Sequence, residues 1–404
     1  MVHNWTWSAA GLKALTWAVK PFTRQRFAFG AAMVPSGKFK LVHALRGIAA
    51  TWVVFFHAFW GEHITHLYEA LPKPIAEFVF LRGFFGVEIF FVLSGFIIAH
   101  SVRDARITGR YLGNFAVRRS LRLDPPYWAA ILFAVVMASV SAKVVHKQYT
   151  VPGIEDLIAH VTYTQVILGF PEINGVFWTL TYEVQFYLVL ITSLLIFQKL
   201  AKHLSTTASA IIVFAPLYII AWVWGVFIFG DKDLGFFWIK WYGFFAGALG
   251  YWAASNRRLL IPFWALAAGL LFFGRDVSQA CSLTAVLLHV ALQRGSIVSA
   301  LGWAPLQFLG TISYSLYLIH TPVQGASMFL LYRFIPRTVA GETLALFLSF
   351  LVCVAGSWVF WWAIERPSHE FAKRFGRLRR QPIQDRGTET STERLEAGAT
   401  PGVS

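Results

Sequence analysis

The chain has 404 residues, of which 57% are hydrophobic, 17% aromatic and only 14% charged, and its mean hydropathy is +0.57. A soluble domain carries roughly a quarter charged residues, so this composition excludes an ordinary soluble enzyme. The net charge of +15 does not indicate nucleic-acid binding, because the cations lie in short loops and tails between apolar segments, the pattern that orients membrane proteins. We therefore expect a protein embedded in a lipid bilayer.

The segment 1–40 is interpreted as an N-terminal cytoplasmic extension. Cations such as Lys13 and Lys20 interrupt its apolar residues, and no small-residue cleavage site follows an apolar run, so we expect no secretory signal peptide. An amphipathic helix at the membrane interface is one interpretation of this segment. The alternative is that translation begins at Met33.

Long apolar blocks follow, many close to the roughly 20 residues that cross a bilayer as a helix. Because lipid offers no partner to free backbone groups, such blocks must be helical. We predict an all-α integral membrane domain over residues 41–370, with about ten transmembrane helices. The predicted spans are 41–60, 83–102, 126–145, 176–197, 208–229, 236–254, 259–273, 277–293, 306–331 and 342–364. The short seventh and eighth spans are also consistent with tilted or re-entrant segments.

The loop charges predict that both termini are cytoplasmic. With the N-terminus inside, the inward-facing segments hold 23 Lys and Arg residues, against nine in the outward-facing segments. The final segment, 371–404, is polar without apolar periodicity and is predicted to be a disordered cytoplasmic tail. Cys281 and Cys353 both fall within apolar segments, so we expect no disulfide framework.

The first predicted span contains Arg46 and His57, which are costly in a membrane and therefore indicate function. Eleven residues at about 100° each return to within roughly 20° of the starting direction, about 16 Å farther along the axis. The two side chains thus share one face, with Arg46 near the cytoplasm and His57 in the outer half. Histidine is the usual general base, although an interfacial arginine and a structural histidine are the alternatives.

Glu88, in the second predicted span, enters the membrane from the outer side at a depth similar to that of His57. Its carboxylate is a candidate to orient the histidine; the alternative is a helix-terminus carboxylate in a water-filled mouth. Ser94 and Gly95 are interpreted as a small-residue helix contact rather than as a nucleophile site.

A cluster of arginines, Arg118, Arg119 and Arg122, precedes the third span, and Pro125 and Pro126 there suit the first turn of a helix. Such a cluster can bind phosphates through charge-assisted hydrogen bonds. Ordinary retention of positive charge on the cytoplasmic side is the alternative.

The fourth span places Trp178, Glu183 and Tyr187 along one helix, and a glutamate in an apolar helix favours catalysis or a polar pathway. The ninth span carries Tyr317 and His320 on overlapping faces, together with Ser313. His320 equally suits a capped kink before Thr321-Pro322. Glu365 and Arg366, at the end of the last span, are interpreted as a juxtamembrane ion pair.

In order and spacing, these segments together resemble the membrane-bound acyltransferase 3 family over residues 40–370. The motifs are Arg46 and His57 with ten residues between them, GVEIFFVLSGF at 86–96, RRSLRLDPPYW at 118–128, FWTLTYEVQFY at 177–187, SYSLYLIHTP at 313–322 and IERP at 364–367. The resemblance implies an O-acyltransferase in the bacterial inner membrane that modifies envelope or exported carbohydrate. Its donor would be cytoplasmic acyl-CoA, with acetyl-CoA as the first candidate, and no cofactor would be tightly bound. A fused esterase-like domain, found in some members, is not expected here.

The resemblance maps the essential arginine and histidine of the family onto Arg46 and His57, and its phosphate-binding arginines onto Arg119 and Arg122. We expect His57 to be the general base, oriented by Glu88 or Glu183, and an acyl-histidine intermediate is the variant. The predicted donor-binding residues are Arg46, Arg118, Arg119 and Arg122. The predicted substrate-binding residues are Trp178, Tyr187, Tyr317 and His320. No metal site is predicted, because the histidines are scattered among different helices.

Two other functions are consistent with the same residues. A multi-pass transporter or flippase of a glycan or acyl compound could use the buried histidines and glutamates as a proton path. The chain has no internal repeat, which weakens that interpretation. A catalytically inactive sensor is the third alternative. The identity of the acceptor and the oligomeric state are not readable from the sequence.

Overall fold

The computed structural model of the protein describes residues 38–228 and 235–378, of which the side chains of 375–378 are not described. The first helices are α1 (Lys40–Trp60), α2 (Thr65–Ala70), α3 (Lys73–Val79), α4 (Phe85–Ser101), α5 (Gly109–Val144), α6 (Ile154–Val161), α7 (Gln165–Leu168) and α8 (Trp178–Leu200). The remaining helices are α9 (Thr206–Trp222), α10 (Trp241–Ser255), α11 (Leu260–Phe272), α12 (Asp276–Gln293), α13 (Ala304–Leu331), α14 (Val339–Phe360) and α15 (Arg366–Leu378). The described part of the chain contains no strand, which confirms the all-α prediction.

Within the described residues, six helical stretches are long and apolar enough to cross a membrane. They are Lys40–Trp60, Lys73–Ser101, Gly109–Val144, Trp178–Leu200, Thr206–Phe227 and Val339–Arg374. Helices α10, α11, α12 and α13 coincide with the other predicted spans but are too short or too polar to qualify by the same measure. The membrane class is therefore confirmed, and the number of crossings stays a prediction.

Helix α13 is less hydropathic than the six helical stretches above because it carries buried polar side chains. Ser313, Ser315, His320, Gln324 and Ser327 are each at most 8% exposed, although the helix is 28 residues long and apolar between them. Polar groups buried at this density require partners inside the protein. Their partners lie largely on α1 and on the chain just before α15, and this arrangement builds the site.

Two helix pairs approach closely enough to exclude side chains between them. A Cβ atom on Gly310 of α13 would lie 2.0 Å from the His43 carbonyl oxygen of α1. A Cβ atom on Gly95 of α4 would lie 1.9 Å from the Phe244 carbonyl oxygen of α10. The predicted small-residue contact at Gly95 is thus confirmed, and the α1–α13 contact fixes the two helices that carry the site.

Helix α5 begins at Gly109, well before the predicted span at 126, so Pro125 and Pro126 lie inside the helix and not in its first turn. That prediction was wrong. Packing overrides the local preference, because α15 lies along the early part of α5 and the Tyr314 hydroxyl of α13 donates to the Leu123 carbonyl oxygen at 3.1 Å. The arginine cluster consequently lies within a continuous helix.

The last membrane helix continues through a π-helical turn, Trp361–Glu365, into α15. This continuation extends to Leu378, into the segment that was predicted to be a disordered tail from residue 371. The rest of that tail and nearly all of the predicted N-terminal extension lie outside the described residues. The position of α15 matters for the site because the helix packs along α5.

Candidate active site

A cavity lies among α1, α4, α5, α8 and α13. Its polar lining consists of Arg46, Ser94, Arg119, Arg122, Thr179, Glu183, Tyr187, Ser313, Tyr314, Tyr317, Glu365 and His369. Three arginines and two glutamates face one space inside a helix bundle. Such a concentration of charge in an apolar domain indicates a binding site for a charged ligand.

Arg46 is held by α13, since its Nε donates to the Ser313 Oγ at 3.1 Å. Its guanidinium carbon also lies 6.0 Å from the centre of the Phe90 ring. The Arg119 guanidinium carbon lies 4.2 Å from the centre of the Tyr187 ring, a cation–π distance. Arg122 donates from its Nε to the His369 Nε2 at 3.0 Å. Each arginine is therefore oriented by side-chain contacts that leave part of its five guanidinium N–H groups for a ligand.

Arg118 does not line this cavity. Its Nε donates to the Asn114 carbonyl oxygen at 3.2 Å, and its guanidinium carbon lies 5.9 Å from the Tyr111 ring centre. Of the four predicted phosphate-binding arginines, the structure brings together Arg46, Arg119 and Arg122.

The two glutamates of the cavity are held by neutral donors. Glu183 accepts a hydrogen bond from the Ser94 Oγ at 3.0 Å and a short one from the Tyr187 hydroxyl. Glu365 accepts from the Ser315 Oγ at 2.6 Å and from the Ser315 backbone N–H at 3.2 Å. These carboxylates stay positioned close to the arginines, so they fix the shape of the charged surface.

The sequence analysis misassigned Glu365 of this cavity and missed His369. Glu365 was interpreted as the partner of Arg366, but Arg366 pairs with Glu370 at 3.1 Å, so that interpretation was wrong. Glu365 is only 2% exposed, and its Oε1 lies 3.6 Å from the His369 Nε2. His369 was not noticed at all. Its spacing of four residues from a glutamate in an apolar helix would have placed the two on one face.

His57 and His320 form a hydrogen-bonded pair beside this cavity. The His57 Nδ1 lies 3.1 Å from the His320 Nε2 and 2.9 Å from the Val53 carbonyl oxygen. The His320 Nδ1 lies 2.8 Å and 3.0 Å from the carbonyl oxygens of Tyr317 and Leu316. Carbonyl oxygens can only accept, so the Nδ1 of His320 carries the proton, and its Nε2 accepts from His57.

This geometry fixes the tautomer of His57. With its Nδ1–H donated to His320 and Val53, the neutral imidazole keeps its lone pair on Nε2. His320 is fully buried, whereas His57 is partly exposed. A partly exposed histidine in that tautomer has the arrangement of a general base oriented by a second residue.

The predicted orienting carboxylates lie elsewhere. Glu88 is 3% exposed, its Oε1 lies 3.5 Å from the Lys240 Nζ, and the Cys281 Sγ lies 3.4 Å from its Oε2. Glu183 bonds to Ser94 and Tyr187 in the cavity wall. Neither carboxylate lies within hydrogen-bond distance of His57, and the side chain that bonds to the His57 imidazole is His320.

The predicted substrate-binding residues divide between several places. Tyr187 and Tyr317 line the cavity, and His320 pairs with His57. Trp178 lies outside the cavity lining, with the Lys240 Nζ 5.5 Å from its ring centre. In the part of the chain that the structure describes, no group of three or more His, Cys, Asp or Glu side chains could hold a metal ion.

Comparison with known proteins decides the family. Residues 40–362 match the acyltransferase domain that defines the acyltransferase 3 family. The chain belongs to this family. The match covers both the arginine cavity, apart from Glu365 and His369, and the His57–His320 pair.

Similar proteins include nodulation protein 10 of Rhizobium leguminosarum bv. viciae, which is 28% identical over 68% of this chain and 80% of its own length. A protein of Komagataeibacter xylinus named as a membrane-bound transacylase, BcsY, is 25% identical over 77% of this chain and 80% of its length. The regulator of hypoxia-inducible factor 1 of Caenorhabditis elegans is 27% identical over 42% of this chain and 36% of its length. No solved structure matches significantly. The protein is thus a membrane acyltransferase of this family.

Proposed function

We propose that this acyltransferase moves an acyl group from cytoplasmic acyl-CoA to a hydroxyl of an envelope or exported glycan, with acetyl as the first candidate for the acyl group. One observation carries the proposal. The same two helices, α1 and α13, hold an arginine-lined cavity at one depth and the His57–His320 pair farther along their axes. Phosphate binding and general-base chemistry are the two tasks that acyl transfer from coenzyme A requires.

The proposed topology has ten membrane crossings with both termini in the cytoplasm, in a bacterial inner membrane. The loop charges support this orientation, as does a helix at each of the ten predicted positions. In this topology Arg122 and His369 face the cytoplasmic end of the cavity, and His57 lies in the outer half of the membrane. The donor then enters from inside and the acceptor from outside.

Arg46, Arg119 and Arg122 would bind the phosphates of the donor. Guanidinium groups suit phosphate oxygens because their N–H groups form planar, charge-assisted pairs. Arg46 lies about 16 Å from His57 along α1, since eleven residues separate them. The flexible arm of the donor would cover this distance and present the thioester near the histidine.

In the chemical step, the His57 Nε2 takes the proton of the acceptor hydroxyl as its oxygen attacks the thioester carbonyl carbon. The new C–O bond forms, the tetrahedral intermediate collapses, and the C–S bond breaks. The imidazolium then returns its proton to the departing thiolate. His320 holds the imidazole in the productive tautomer throughout, as the carboxylate does in a serine-protease triad.

The test is acyl transfer by the purified full-length chain in lipid nanodiscs, with isotopically labelled acetyl-CoA and glycans from the source envelope. Mass spectrometry of the glycans should show a labelled acetyl ester only when the protein and donor are both present. Consumption of acetyl-CoA without an ester on any hydroxyl acceptor would contradict the proposal. Movement of glycan across the bilayer without acylation would establish the transporter alternative instead.

Arg122→Ala should raise the KM for acetyl-CoA roughly ten- to 100-fold and leave kcat within a few-fold. A hydrogen bond to a charged group contributes about 1.5–3 kcal/mol, which corresponds to that range in affinity. The matched control is Arg118→Ala, because Arg118 lies in the same helix but outside the cavity. Steady-state kinetics in nanodiscs would measure both. Equal effects of the two substitutions would mean that positive charge on α5, and not the cavity, determines donor binding.

A further inference from the structure

The arginine cavity has an apolar end. Toward the outer side it is lined mostly by apolar residues, Val87, Phe90 and Phe91 of α4, Leu180 of α8 and Tyr317 of α13, together with Thr179, which is hydrogen-bonded to Tyr317. Its opposite end is formed by Ile97, Arg122 and His369, among others. Ten residues of α4 separate Val87 from Ile97, so the cavity extends about 15 Å along this helix. One cavity thus joins a charged compartment to an apolar one.

The apolar end lies next to the histidine pair. The ring centres of Tyr317 and His320 are 6.2 Å apart, and His320 is hydrogen-bonded to His57. His320 follows Tyr317 by three residues, or about 4.5 Å of helix rise. The apolar end is therefore adjacent to the histidine pair.

Aromatic rings close this end firmly. The Tyr317 hydroxyl lies 2.8 Å from the Thr179 Oγ1 and donates to the Val176 carbonyl oxygen at 2.9 Å, so its ring is fixed against α8. The Phe90 and Tyr317 rings meet edge to face, with ring centres 5.8 Å apart, and the Arg46 guanidinium carbon lies 6.0 Å from the Phe90 ring centre. Phe90 therefore contacts both Arg46 of the charged compartment and Tyr317, the neighbour of His320.

We infer that the apolar end, formed by Val87, Phe90, Leu180 and Tyr317, is the binding pocket for the acyl group of the donor and limits the substrate to short acyl thioesters. This inference rests on the proposed function. The apolar wall binds the carbon chain through burial, while the Phe90 and Tyr317 rings exclude long chains. Close-packed apolar walls discriminate between chain lengths because an additional methylene in a filled pocket costs binding.

Phe90→Ala tests the pocket by removing the ring that stands in the path. Transfer is measured in nanodiscs with acetyl-, butyryl- and hexanoyl-CoA, and the ratio of kcat/KM for hexanoyl to that for acetyl is compared with the wild-type ratio. We expect this ratio to rise at least about tenfold, because pockets discriminate by about that factor per methylene. Ile97→Ala is the matched control, as it enlarges the same cavity about 10 Å away along α4.

The outcomes separate this inference from the proposed function. Wild-type protein that transfers no acyl group would overturn the proposed function itself. If the wild type is active, two results would overturn only the acyl pocket. One is an unchanged hexanoyl-to-acetyl ratio of kcat/KM in Phe90→Ala, and the other is an equal rise of this ratio in Ile97→Ala. If Phe90→Ala does not fold, Leu180→Ala enlarges the same end from α8 and gives the same readout.

Discussion

Replacing His57 with alanine should reduce acyl transfer by about 10²- to 10⁴-fold while the protein still folds and still binds acyl-CoA. His57 is partly exposed, so its truncation leaves no sealed cavity, and the arginines that would bind the donor lie elsewhere on α1 and on α5. The loss should therefore appear in kcat, with the KM for acetyl-CoA nearly unchanged. Labelled acyl transfer in nanodiscs, with protein levels matched, measures both quantities.

The control for this experiment is His100→Ala. His100 is also a partly exposed histidine of an apolar helix, but its Nδ1 lies 3.1 Å from the Tyr251 hydroxyl and it does not line the cavity. This variant should keep transfer within a few-fold of wild type. If the His57 variant retained wild-type kcat, the general base would have to be another group, and the mechanism proposed above would be wrong.

Much of the fold follows from the sequence because lipid leaves a chain few options. Apolar blocks must be helical in a bilayer, so their ends could be predicted from composition, and only the third predicted span was misplaced by more than a short stretch. The error at α5 came from local rules, since Pro125 and Pro126 suit a helix start. Contacts with α13 and α15, which no local pattern contains, keep this helix continuous.

The site was predictable where a single helix carries the information. Arg46 and His57 share a face by periodicity alone, and the arginine cluster was visible as charge. The sequence of one helix does not say which other helix packs against each of its faces. The partner of His57 was therefore assigned to Glu88 or Glu183. The close approach of α1 and α13 at Gly310 brings His320 there instead. His369 was missed because it lies beyond the last apolar block, where the sequence looks like a cytoplasmic tail.

His320 is a positioning residue in this arrangement, and its removal should lower kcat by up to about 10⁴-fold, the loss seen for the orienting group of a catalytic triad, without changing the KM for acetyl-CoA. His320→Leu keeps an apolar side chain of similar reach in a fully buried position, so it limits the loss of packing. Without an acceptor at the His320 Nε2, the His57 Nδ1–H keeps only the Val53 carbonyl oxygen. The imidazole can then rotate or change tautomer.

His320→Gln separates positioning from structure, because a glutamine amide oxygen can occupy the place of the histidine Nε2 and accept the same hydrogen bond. We expect Gln to restore kcat to within about tenfold of wild type, whereas Leu does not. Nitrogen NMR of ¹⁵N-histidine-labelled protein gives an independent readout: His57 should be protonated at Nδ1 in wild type and in the Gln variant, and in a mixture of tautomers in the Leu variant. If the Gln variant were as impaired as the Leu variant and the His57 tautomer were unchanged in both, His320 would contribute packing only. His57 would then be oriented by Val53 alone.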